Sequence, residues 1–83
     1  MRIDDFLSTV GIIVRRTVAK EMARHGLLVV NGHRVKPAYL VKVQDIIQVK
    51  GTQGLVFEVL AIPDGSVSRE TRGRYYKPLN VTA

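Results

Sequence analysis

The 83-residue sequence predicts an α+β fold, with two short N-terminal helices packed on a small antiparallel sheet and a basic C-terminal tail. Three observations carry this. Apolar residues recur at helical spacing as far as His25, β-branched runs take over from Leu27, and Asn31-Gly32 supplies a two-residue hairpin turn. A hydrophobic content of 46% in so short a chain indicates one globular core. There is no cysteine, which excludes a disulfide framework, a thiolate zinc site and a cysteine nucleophile.

The first helix comes from Ile3, Phe6, Leu7 and Val10, four apolar residues on one helical face. Asp4 and Asp5 lie in its first turn, where the helix dipole favours acids, and Gly11 ends it. A second helix is predicted from about Arg15 to His25, closed by Gly26. At about 100° per residue Val18, Ala19 and Met22 share its inner face, while Arg16, Lys20 and Arg24 form an outer strip about 80° wide. Arg15 falls on the apolar face by the same arithmetic, so it is placed at the helix entrance with its side chain turned away from the core.

Leu27-Leu28-Val29-Val30 and His33-Arg34-Val35 then read as a tight hairpin around Asn31-Gly32. Lys36-Pro37-Ala38 turns the chain away. Two more strands follow, Ile46–Lys50 and Leu55–Ile62, joined by the Gly51-Thr52-Gln53-Gly54 loop. Pro63-Asp64-Gly65-Ser66 closes the last of them, dividing a domain over 1–62 from a basic extension over 63–83. The extension is polar and is expected to be partly mobile. Tyr75 and Tyr76 could offer rings to nucleic-acid bases, but pinning the tail to the sheet is the favoured role.

The charge is uneven. Thirteen Lys and Arg against seven Asp and Glu give +6. Arg15, Arg16, Lys20, Arg24, Arg34 and Lys36 against the single acid Glu21 place +5 of it between residues 15 and 36. Such a concentration suits a polyanionic partner, whereas charge kept for solubility alone is mixed in sign. Apolar runs are too short for a membrane span, and Arg2, Asp4 and Asp5 spoil a signal peptide, so a soluble cytoplasmic protein without a membrane partner is expected.

Taken in order, Arg2-Ile3-Asp4-Asp5-Phe6-Leu7, Arg15 to Glu21, Gly26 to Gly32, Lys36-Pro37 and Val41 to Ile47 resemble the RNA-binding domain named after ribosomal protein S4, the alpha-L motif. Because the domain stands without a catalytic neighbour, it is similar to the bacterial stand-alone subgroup of heat-shock protein fifteen and the ribosome-associated quality-control factor P. The resemblance implies binding of structured RNA, ribosomal RNA first and tRNA second. It further implies a place on the large ribosomal subunit, in rescue or quality control of stalled translation. Two positions depart from the family pattern. Asp5 stands where lysine is frequent, and Gln44 stands where glycine usually precedes Asp45, which suggests a turn needing no positive φ.

The candidate RNA-binding residues are therefore Arg2, Arg15, Arg16, Lys20, Arg24, Arg34 and Lys36. Arginine supplies a planar fork of donors to phosphate, and lysine a less directional charge. Arg16 is the first choice, since helical geometry and family pattern both select it. Arg2 could instead pair with Asp4 or Asp5, and Arg69, Arg72 and Arg74 could add general attraction from the tail. His25 and His33 have no ligand-spaced companions, so no metal or other cofactor is expected. Nothing assembles a nucleophile with a base, so a non-enzymatic, monomeric binding protein is expected. The alternatives are a DNA-binding helix-turn-helix-like protein and a protein-only ribosome adaptor.

Overall fold

A computed structural model describes residues 1–51 and 54–79; Thr52 and Gln53 of the third loop and residues 80–83 of the tail lie outside the described residues. Helix α1 spans Ile3–Thr9 and α2 spans Arg16–Arg24. Both are followed by the glycine predicted to stop them, Gly11 at φ +79° and Gly26 at φ +72°. Strands β1 (Leu28–Val30), β2 (His33–Arg34), β3 (Ile46–Val49), β4 (Leu55–Val59) and β5 (Tyr76–Pro78) form one sheet in the order β2-β1-β3-β4-β5, antiparallel throughout. Asn31 (φ +52°) and Gly32 (φ +85°) make the hairpin turn with positive φ at both central residues, which sets Val30 opposite His33.

The core lies between the helices and the inner face of the sheet. Ile3, Phe6, Leu7 and Val10 of the first helical segment meet Leu28, Ile47, Phe57 and Val59, all fully buried. Each such side chain contributes about 1.5–3 kcal/mol by leaving water. The α2 face differs from the sequence arithmetic. Ala19 and Ala23 are buried, whereas Val18 is 46% exposed, because the small alanines let α2 lie close against α1 and rotate Val18 to the rim.

The described part of the extension carries regular structure. A 3-10 helix over Arg69–Arg74 leads into β5, and Leu60 N–H donates to Tyr75 O at 2.8 Å. Tyr76 meets Phe57 edge-on with ring centroids 5.4 Å apart, and Phe57 lies 6.4 Å from Phe6. Three rings thus connect tail, sheet and α1, so the tyrosine pins the chain. Arg72 packs its guanidinium against Gly11, where any Cβ would collide with it.

Asp45 ties the loops together. This buried carboxylate accepts from Asn31 Nδ2 at 3.1 Å, Tyr39 OH at 2.8 Å and Lys42 N–H at 2.9 Å. Asn31 Oδ1 in turn accepts from Ile46 N–H at 3.0 Å. The adjoining turn corrects one expectation: Gln44 adopts φ +76°, the glycine-like conformation it was expected to avoid. It is held there from both sides, since Gln44 N–H donates to Val59 O at 2.7 Å and Asp45 N–H to Lys42 O at 3.1 Å.

A left-handed non-glycine residue costs about 1–2 kcal/mol, and glycine loses about 0.5–1 kcal/mol in extra chain entropy. Gln44→Gly should therefore stabilise the protein by about 0.5–1 kcal/mol in urea unfolding; a loss of stability would contradict the strain. Burial, then the hydrogen bond to Asp45 and its charge, raise the Tyr39 phenol above its ordinary 10.0. The unfolded chain consequently releases this proton first as pH rises, so the group's stabilisation is complete below pH 10 and is lost above it. Tyr39→Phe should cost about 1.5–3 kcal/mol at neutral pH. Its deficit should shrink in alkali, and a gap that does not change with pH would refute this.

Candidate nucleic-acid interface

The link between the helices brings the chain into α2 with Arg15 as an extended N-cap, φ −112° and ψ 128°. No side chain caps that end and no acid lies in its first turn. The partial positive charge of the helix start therefore adds to Arg15 and Arg16. Arg15 sits at the helix entrance, exposed, as its position in the sequence required.

The acids of α1 face this corner. Asp4 is fully buried, takes Arg2 Nη2 at 3.1 Å, and lies 3.7 Å from Arg16 Nε. Asp5 Oδ1 is 3.6 Å from Arg16 Nη1, and Asp5 N–H donates to Asp4 Oδ1 at 2.8 Å. A buried carboxylate is costly unless it is paired, so the two arginines are part of the α1–α2 junction. Arg16 keeps about half its side chain exposed (49%), oriented by the acids and partly neutralised by them. Arg2 is more occupied still, and its Nε is buried without a partner.

The other predicted residues are freer. Arg24 pairs with Glu21 at 3.2 Å, an exposed contact of about 0–1 kcal/mol that a phosphate can displace. Among the described residues Arg15, Lys20, Arg34 and Lys36 form no salt bridge. Arg16, Lys20 and Arg24 recur every four residues along α2 and share one flank. Arg34 and Lys36 do not continue that strip. They meet its far end, where Arg24, His25, Gly26, Arg34 and Lys36 border a concavity of about 370 Å³.

His25 at this concavity was missed from sequence, where it stood only as a histidine without ligand-spaced companions. Strand register was the signal that could have found it. Val29 pairs with Arg34 and Val35 N–H donates to Leu28 O at 3.2 Å, so the residues after β2 return beside the end of α2. No three His, Asp or Glu side chains gather as metal ligands among the described residues. No helix among them is long and apolar enough to cross a membrane.

Comparison with known proteins settles the family, because the model of the S4 domain matches residues 1–47. The chain belongs to the S4-domain family. It is 38% identical over 76 residues to the RQC P-site tRNA stabilizing factor of Streptococcus pneumoniae, covering 90% of this chain and 86% of that protein. Against the factor of the same name from Helicobacter pylori it is 36% identical over 80 residues, covering 94% and 95%. The small ribosomal subunit protein uS4 of Acetivibrio thermocellus is 48% identical over 50 residues, which cover 59% of this chain and 24% of that protein.

Solved structures agree on the fold. Vibrio cholerae heat shock protein 15 superposes with a TM-score of 0.88 at 22% identity, over 96% of this chain and 82% of that one. The solution structure of hypothetical protein HP1423 gives 0.82 at 33% identity, over 99% and 100%. The expected α+β architecture and S4-type RNA-binding domain therefore hold. Among the described residues α2 runs directly into β1, without the third packing helix that a helix-turn-helix needs.

Replacing Arg16 and Lys20 together by alanine should weaken binding to structured ribosomal RNA about tenfold and reduce the salt dependence by about two phosphate contacts. Titrations at several salt concentrations measure both. Unchanged affinity would remove the α2 flank from the interface.

Proposed function

We propose that this protein binds ribosomal RNA and tRNA on the large ribosomal subunit and acts, as a cytoplasmic monomer, in quality control of stalled translation. One observation carries the reading: relatives named RQC P-site tRNA stabilizing factor match the chain almost end to end, over the same segments that build the basic corner. Those proteins are named for stabilizing a tRNA rather than for a reaction, which supports a binding role without catalysis.

The chemistry suits the task. The deep, narrow groove of an RNA helix hides its bases, leaving phosphates and 2′-hydroxyls as the accessible features. Arg15, Arg16, Lys20, Arg24, Arg34 and Lys36 present donors along α2 and where its end meets β2. Residues 1–62 are proposed to carry this activity. The described part of the 63–83 extension pairs with β4 through β5 and adds Arg69 and Arg74 as further exposed cations.

Sedimentation of the purified protein with separated ribosomal subunits, and with large subunits carrying a trapped peptidyl-tRNA, tests the proposal. The protein should travel with the large subunit and be retained more strongly when the peptidyl-tRNA is present. Preference for the small subunit, or indifference to the tRNA, would overturn it.

A further inference from the structure

We infer that the C-terminal end of α2 and strand β2 form one phosphate-binding seat, in which Gly26 is a positioning residue that lays the Arg34 guanidinium beside Arg24, His25 and Lys36. The inference rests on the RNA-binding reading and names a particular part of that surface.

Arg34 projects from β2 across the end of the helix. A Cβ built on Gly26 would lie 3.2 Å from Arg34 Cδ and 3.3 Å from its Nε, closer than side-chain carbons ordinarily approach. With a Cβ there, the arginine stem would have to give by a few tenths of an ångström. Gly26 also sits at φ +72°, so backbone conformation and neighbour both call for glycine. Gly32 provides the contrast, since its φ is +85° but nothing lies within 4 Å of its would-be Cβ.

The stem of Arg34 lies against Gly26, and its guanidinium engages no salt bridge or side-chain hydrogen bond among the described residues. It borders the concavity of about 370 Å³ together with Arg24, His25 and Lys36. The negative end of the helix dipole attracts cations and explains Arg24 at this place. It does not explain Arg34 and Lys36, which the hairpin brings from another element. Glu21, the acid paired with Arg24 at 3.2 Å and 3.9 Å from His25 Nε2, offsets only part of this charge. An arginine fork converging with further cations on an open hollow suits a phosphodiester of an RNA backbone.

Binding of a fluorescein-labelled structured ribosomal RNA hairpin, measured across a salt series, tests the seat. Arg34→Ala should weaken binding about five- to tenfold and lower the salt slope by about one. Gly26→Ala should shift both in the same direction by a smaller amount, Gly32→Ala should lower only thermal stability, and Gly26→Ala with Arg34→Ala should bind no more weakly than Arg34→Ala alone. Gly26→Ala behaving like Gly32→Ala in binding would overturn the positioning role. Wild-type affinity and slope in Arg34→Ala would overturn the seat itself, and this variant decides the matter should Gly26→Ala fail to fold. If the wild-type protein binds the hairpin while these variants match it, only the seat is lost; if the wild-type protein does not bind, the RNA reading falls with it.

Discussion

Asp45 is the constraint on which much of the arrangement hangs. Its carboxylate joins the hairpin turn through Asn31, the connection before β3 through Tyr39, and its own turn through Lys42. Backbone bonds extend this frame, with Tyr39 O accepting from Ile3 N–H at 2.7 Å and Asp45 O from Val59 N–H at 2.9 Å. Hydrogen bonds to a charged acceptor contribute about 1.5–3 kcal/mol each, so the set outweighs the strain tolerated at neighbouring Gln44. By fixing where the hairpin leaves the sheet, the network also fixes where β2 delivers Arg34 and Lys36.

A second buried carboxylate sets the other end of the basic surface. Asp4 draws Arg2 and Arg16 to the α1–α2 junction, and the same acids lower the net charge available there. The trade favours orientation over raw charge. A free arginine must lose rotamer entropy when it meets a phosphate, whereas Arg16 has already lost part of it in folding. Lys20 and Arg15, without such partners, keep their full charge and their freedom. The flank of α2 away from the cations carries half-exposed Val18 instead, so polyanion binding has one side of the helix on which to occur.

Much of the fold was legible because local signals agreed. Helical spacing with Gly11 and Gly26, and the Asn31-Gly32 turn, each specify an element without help from distant residues. Three features were not legible. Val18 depends on how closely Ala19 and Ala23 let α2 approach α1. Gln44 depends on the hydrogen bond its N–H donates to Val59 O of β4, which overrides its own conformational preference. β5 is a three-residue edge strand containing Pro78, whose lack of an N–H an edge tolerates but a sequence pattern reads as a breaker. The candidate site divides in the same way. Arg16, Lys20 and Arg24 followed from one helical period, but the meeting of Arg34 and Lys36 with His25 required the register between β1 and β2.

A basic face running from the α2 entrance to the end of β2 is proposed to receive RNA. Chemical-shift mapping of the isotope-labelled protein during titration with structured ribosomal RNA reads that face residue by residue. The largest changes should fall on Arg15 to Gly26 and on Arg34 to Lys36, with β4 little affected. Changes concentrated on β4, β5 or the apolar rim around Val18, with the α2 cations unmoved, would contradict it.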